Sequence, residues 1–438
     1  MDTTDRPASG AWPQWQRVLF RFFFVYLLLQ IAPWTWFDQI PGVGRVTRYY
    51  GMLDDWAVHA ANARLFHVRE TLVPVNGSGD TSYAWTQLWL YLSIAGVACV
   101  AWSLLDRERT GYPRLLYWLR TFVRYYIATS ALSYGIIKLF VLQMPFPTLS
   151  QLATPLGDFL PMRLSWLFIG YSKTYQIFSG LMETAAGLLL LRRDTVTLGL
   201  FAALGAFLNV VMINLSYDVP VKLFASHLLL ACLFLLALDS KRLFDFLVLN
   251  RAAPATRAYE PNYTKPWHRY AAMAAKGLMI VLILVLPLQR SWGAYRSIAD
   301  APPSRPFRSG VYDVRHYVLN GDTIPALVSD TIRWKDVIFD NNIQGSVNSA
   351  DPVFWQRYRR GYFRYRPDTA RRTMAVWKTS TAFDSTFLFT VRYDVPDTGT
   401  IRLWTKIRDD SLFVELVRSN RHFQLAERQF HWLSEYNR

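Results

Sequence analysis

"FSGLMETAAGLLLL", Phe178 to Leu191, carries a single charged residue, Glu183, in an otherwise apolar and small run. If the run crosses a bilayer, that carboxylate is costly and needs a partner or a proton. Gly180 and Gly187 lie three before and four after it, on the same helical face. Small residues let a neighbouring helix approach closely, so Glu183 is expected to face protein rather than lipid. The best partner is Lys138, an isolated cation in another apolar run, one turn after Tyr134 and beside Gly135. An ion pair between them can be a structural lock, or it can be a ligand or proton site; the sequence leaves both open.

The rest of the chain supports a membrane reading of that run. The 438 residues are 52% hydrophobic, with 17 Trp, 24 Tyr and 28 Phe, and the apolar residues concentrate before about residue 290. That is too apolar for an ordinary soluble enzyme. Seven runs approach the roughly 20 residues a span needs: 18–36, 85–105, 122–142, 174–191, 196–215, 222–239 and 271–289. Only Arg192-Arg193-Asp194 separates the fourth and fifth, so they form a tight hairpin. The first is expected to be retained as an anchor, because Met1 to Gly10 is polar, has two Asp and does not look like a cleaved signal.

The net charge of +16 does not point to nucleic acid, because Lys and Arg gather in cytoplasmic loops. Residues 106–124 carry five Arg against two acids, and 239–269 carry six Lys or Arg against three acids. The loop 37–84 has four Arg against five acids. The N-terminus is therefore expected in the cytoplasm, and seven crossings put everything after 290 outside. Cys99 and Cys232 both fall in apolar runs, without a CxxC spacing, so dithiol chemistry by this chain alone is not expected.

From about 308 the pattern changes to short period-2 runs such as "GVYDVRHYVL", "STFLFTVRYDV" and "SLFVELVRS". Asp397-Thr398-Gly399 and Arg408-Asp409-Asp410 read as hairpin loops. The expected domains are a polytopic membrane bundle over 1–290, a linker over 291–307 and a mainly β domain over 308–438. The last is read as a sequential meander, closed as a small lipocalin-like barrel or flattened as a sandwich.

"SYGIIKLFVLQMPFP", "GLMETAAGLLLLRRDTVTLG", "NLSYDVPVKLFASHLLL" and "LDSKRLFDFLVLNR" resemble the DoxX-like membrane proteins. "NGSGDTSYAW", "VLNGDTIPALVSDTIRWKDVIFD" and "HWLSEYNR" resemble a long bacterial subgroup with an appended periplasmic β domain. The resemblance implies a four-helix core at about 120–250, location in the bacterial inner membrane, and a periplasmic C-terminal domain. It also implies a link to quinone redox chemistry, since the DoxX-like name comes from a subunit of a thiosulfate:quinone oxidoreductase. A membrane component of a quinone-linked redox system, with a periplasmic or membrane redox partner, is the first expectation. A non-enzymatic membrane scaffold is the second, and a carboxylase-like or lipid-modifying enzyme with Lys138 as base is the third.

Further candidates surround the pair. Lys138 and Glu183 are the catalytic candidates. Asn209, Tyr134 and His227 are expected to join them around a quinone; the alternatives are helix–helix glue for Asn209 and a satisfied hydrogen-bonder for His227. Asn214 is five residues from Asn209 and cannot share its face. Asp218 and Pro220 are expected to open the sixth helix, Lys222 to share a face with Ser226, and Asp80 with Thr81 to cap the second. No metal or haem site is expected: His59 and His67, eight apart, lack a third ligand. "RYRRGYFRYR", Arg357 to Arg366, reads as strand and turn with a solvated cationic face, or as a contact for anionic lipid or glycan.

Overall fold

The computed structural model describes residues 11–435 apart from 39, 41, 254–264, 301–305, 328–329, 342, 382–383, 429 and 434. The described chain forms two compact units, 1–144 with 172–296, and 145–171 with 297–438.

The first unit is helical. It contains α1 (Gln14–Ile31), α2 (Val43–Ala61), α3 (Ser82–Leu105) and α4 (Pro113–Leu139). The second unit takes the short helices α5 (Leu149–Leu152) and α6 (Pro161–Tyr171). The first then resumes with α7 (Lys173–Leu191), α8 (Val196–Ser216), α9 (Lys222–Ala237), α10 (Ser240–Leu247), α11 (Pro266–Ile280) and α12 (Leu286–Ala299). A π-helical turn, Val281–Val285, joins the last two into a 34-residue helix that runs past the expected boundary at 290.

Each of the seven apolar runs is helical. By length and composition, Gln14–Phe37, Ser82–Leu105, Val196–Ser216 and Pro266–Ala299 can cross a membrane; α9 with α10 passes as a pair bent by 78°. α4 and α7 fall outside that set. Arg114, Arg120, Arg124 and Lys138 lower the hydropathy of α4, and Lys173, Gln176 and Glu183 that of α7. α2 was not among the expected helices, since its apolar residues alternate with Arg, Asp and His on a helical period instead of forming a run.

Cross-links define two ends of this unit. At one end Arg17 donates to the Arg109 carbonyl at 3.0 Å, Arg193 to the Tyr117 hydroxyl at 3.0 Å, and Arg120 meets Asp239 at 3.4 Å. Buried Arg21 donates to Ser103, to the Asp106 carbonyl and to Tyr112. At the other end, Asp80 accepts the amides of Lys222 (2.8 Å) and Leu223 (2.9 Å), and Gly79 donates its amide to the Pro220 carbonyl at 2.7 Å.

The second unit is built on β1 (Gly310–Leu319), β2 (Asp322–Thr323), β3 (Asp336–Phe339), β4 (Gln344–Val347), β5 (Trp355–Arg357), β6 (Arg360–Asp368), β7 (Thr373–Thr381), β8 (Asp384–Asp394), β9 (Thr400–Ile407) and β10 (Asp410–Arg418). The short strands β2 and β5 pair at the margin; the other eight run antiparallel in chain order, and β10 closes onto β1 with Tyr312 opposite Arg418. The meander is thus a closed barrel and not a flattened sandwich. Closure removes the free edges that an open sheet exposes. Inward positions carry Tyr312, Phe339, Phe363, Tyr365 and Phe389, with Phe307 stacked on Phe339 at 4.7 Å, so the interior is filled by side chains. Both expected hairpin loops form: Asp397 accepts the amides of Gly399 and Thr400 at 2.7 Å, and Arg408, at φ 58°, lies in the short link between β9 and β10.

Candidate functional site

α4 and α7 cross at glycines. A Cβ on Gly135 would lie 2.7 Å from the Thr184 amide nitrogen, one on Gly180 2.8 Å from the Gly135 carbonyl oxygen, and one on Gly187 2.7 Å from Leu132 Cγ. Real Cβ atoms do not come that close, so these positions set the helix separation. At the crossing Lys138 Nζ lies 2.5 Å from Glu183 Oε1. Both side chains are buried, and Oε2 of Glu183 has no hydrogen-bond partner among the described residues.

Tyr134 lies one turn before Lys138 on α4 and within electrostatic reach of Glu183. It is 38% exposed, and its ring sits 6.0 Å from Phe224 of α9. The pair is therefore buried while its neighbour reaches the surface of the bundle. Gln176 was missed by the sequence reading. Its Oε1 accepts the Met144 amide at 3.1 Å and its Nε2 donates to the Met144 carbonyl at 2.7 Å, closing the chain as it leaves α4. The signal was present: Gln176, Gly180, Glu183 and Gly187 recur at i, i+4, i+7 and i+11, one stripe of one helix.

Two expected members of the pocket are elsewhere. Asn209 is exposed on α8, as is Gly205, and among the described residues nothing links Asn209 to Lys138 or Glu183. His227 lies on α9 and is tied to α1. Its Nδ1 contacts the Leu223 carbonyl at 2.6 Å and its Nε2 the Tyr26 hydroxyl at 2.5 Å. A carbonyl only accepts, so Nδ1 carries a proton and Nε2 of the neutral ring accepts from Tyr26. This is the satisfied hydrogen-bonder, not a member of the Lys138 pocket. Asn214 is buried and donates to the Val221 carbonyl at 3.4 Å.

The turn before α9 also differs from expectation. Asp80, not Asp218, covers the amides that open α9, and Thr81 alone caps α3 by accepting the Ala84 amide. Asp218 has φ 50° and contacts Lys222 Nζ at 2.7 Å, an exposed i,i+4 pair. Pro220 precedes the first helical residue, Lys222, by two and offers its carbonyl to Gly79. His59 contacts the Asp55 carbonyl, and no group of three metal-ligating side chains occurs among the described residues. Cys99 and Cys232 are free and buried.

The second unit holds a buried polar chain that the sequence did not suggest. Arg360 reaches Asp336 at 2.5 Å and donates from Nε to Ser346 Oγ at 2.9 Å. Ser346 donates to Ser150 Oγ at 2.8 Å, and Ser150 gives its hydroxyl (2.6 Å) and amide (3.1 Å) to Asp340. Burial pushes the Asp340 carboxyl above the ordinary aspartate range, and the Ser150 donors pull it partly back. Asp336, Ser346 and Arg360 face outward on β3, β4 and β6, and Asp340 directly follows β3. Alternation alone predicts solvent there, but α5 covers them. Arg360 is accordingly a buried member of a run expected to be solvated, whereas Arg359, on the adjacent turn, is exposed and pairs with Asp158 at 3.0 Å.

Over 119 residues, 27% of its length, the chain is 31% identical to the uncharacterized protein YwoB of Bacillus subtilis, and that stretch spans 75% of the relative. No family model and no solved structure matches the chain.

Proposed function

Starting from the chain's membership in the family of that Bacillus protein, we propose that the helical unit spans a bacterial inner membrane and holds a quinone head group at the Lys138–Glu183 pair. In this reading the protein is the membrane component of a quinone-linked redox system, and the electron donor belongs to a partner. The observation that carries it is Glu183 Oε2, a buried carboxylate oxygen without a hydrogen bond among the described residues. A buried acceptor left open costs about 1–3 kcal/mol, more when charged. A quinol hydroxyl would satisfy it, and Lys138 is placed to hold the carboxylate while it does so. Tyr134, partly exposed beside the pair, gives a lipophilic ligand a route from the bilayer.

Chain topology supports the seven-span arrangement. Residues 145–171 and 297–438 belong to one compact unit, so they share one side of the membrane and the crossings between 172 and 296 are even in number. α7, α8, α9 and the 34-residue helix make four. The cross-linked ends agree: Arg17 meets Arg109 across the two crossings of α1 and α3, which leaves α2 as a helix that does not cross. The Arg-rich end then faces the cytoplasm, and the barrel unit the periplasm.

The test is equilibrium binding of a short-chain quinol analogue to the detergent-solubilised protein. Saturable binding that is lost in Glu183→Gln is expected. Equal binding by both proteins would remove the site.

A scaffold reading has one observation in its favour: a Cβ added at Gly180 would lie only 2.8 Å from Lys138 Cβ, so the pair sits where the helices pack closest and also locks the crossing. It predicts no quinol binding.

A further inference from the structure

α2 has three faces. One packs on α3: Asp54 accepts from Gln87 at 2.6 Å and from the Tyr91 hydroxyl at 2.8 Å, and Val58 is fully buried. A second carries Gly51, Asp55 and His59, all exposed. The third is apolar and open: Val46 (70% exposed), Tyr49 (73%), Leu53 (61%) and Trp56 (65%) recur at i, i+3, i+7 and i+10. Met52 extends the stripe, and exposed Arg45 and Arg48 flank its first turns. The Asp54 contacts fix the rotation of the helix, so the apolar face is held out and cannot turn inward.

We propose that α2 is an interfacial helix whose Val46–Tyr49–Leu53–Trp56 stripe lies in the headgroup and upper acyl region of the bilayer. This rests on the membrane reading above. The occupant follows from where α2 is held. It links α1 to α3, two helices long and apolar enough to cross, and Asp54 is tied to the second and third turns of α3, near the end where that helix would leave the membrane. A Trp and a Tyr on the apolar face suit the interface, where an amphipathic ring keeps its polar atom wet. Arg45 and Arg48 add attraction for anionic headgroups. The water side is then the Gly51–Asp55–His59 face.

The test uses the full chain, reconstituted into vesicles of phosphatidylcholine and phosphatidylglycerol. Single spin labels are placed at Tyr49→Cys, Leu53→Cys and Trp56→Cys, at Gly51→Cys and Asp55→Cys, and at Leu208→Cys and Met212→Cys on the exposed face of α8. Unlabelled Cys99 and Cys232 are buried, and the wild-type chain serves as blank. Collision rates with oxygen and with a water-soluble nickel chelate are compared. The stripe labels are expected to favour oxygen several-fold, and the Gly51 and Asp55 labels to favour nickel. Stripe labels as open to nickel as Asp55, with α8 labels still in lipid, would overturn the interfacial helix and leave the membrane reading standing. Nickel access at α8 as well would remove both. Stripe labels that are immobilised and coupled between copies would assign the face to a second chain and overturn the lipid assignment.

Discussion

Lys138 engages one oxygen of Glu183, Oε1 at 2.5 Å, and leaves Oε2 buried without a hydrogen bond among the described residues. Neutralising one partner strands the other as an unpaired buried charge. Glu183→Gln or Lys138→Met alone is expected to cost about 3–5 kcal/mol, and the double variant less than either single one. Thermal unfolding in detergent checks this; additive losses would show that the two do not act as a pair.

The α4–α7 crossing makes a second prediction. Gly135→Ala puts a methyl against Thr184 Oγ1 and 2.7 Å from its backbone nitrogen, which cannot both move aside. A loss of about 1–3 kcal/mol is expected from overpacking. Gly205→Ala, on the open face of α8 with nothing within 4 Å, is expected to be neutral or slightly stabilising. The same unfolding assay ranks the two.

At the start of α9, Asp80→Ala removes the acceptor of two amides and is expected to cost about 0.5–2 kcal/mol. Asp218→Ala removes an exposed ion pair worth about 0–1 kcal/mol. Amide exchange at Lys222 and Leu223 separates them: it accelerates in the first variant and stays unchanged in the second.

Asp340 gives the barrel unit a pH dependence of known sign. Its folded carboxyl titrates above the ordinary aspartate range because it is buried. Its favourable contribution is therefore complete below that range and is lost as pH rises through the raised value. Asp397, held low by the Gly399 amide, behaves oppositely and loses its contribution as pH falls. The stability of the wild type relative to Asp340→Asn is expected to increase on acidification from neutral pH. Amide protection in β3 and β4, read across the acid range, measures it; a pH-independent difference would contradict the assignment.

What could be read from the sequence depended on how local the signal was. Lys138 and Glu183 stood out because a charge in an apolar run is visible without a fold, and the glycine spacing gave their face. The barrel followed from period-2 alternation and turn residues. Asp80 was assigned to the nearer helix because nothing local reveals a cap 142 residues away. Asn209 was drawn into the pocket by its polarity, although its own face points out of the bundle. Arg360 reads as part of a solvated cationic strand and turn, and only the cover supplied by residues 149–154 makes it buried together with Asp336 and Asp340. α2 was missed because an interfacial stripe is too short and too interrupted to register as a span.

The most direct test of the quinone site is mass spectrometry of organic extracts from the protein purified in mild detergent, beside Glu183→Gln/Lys138→Met treated identically. A quinone near one per chain in the wild type, and absent from the variant, is the predicted result. Equal amounts in both, or none in either, would contradict the site and leave the pair as a lock between α4 and α7.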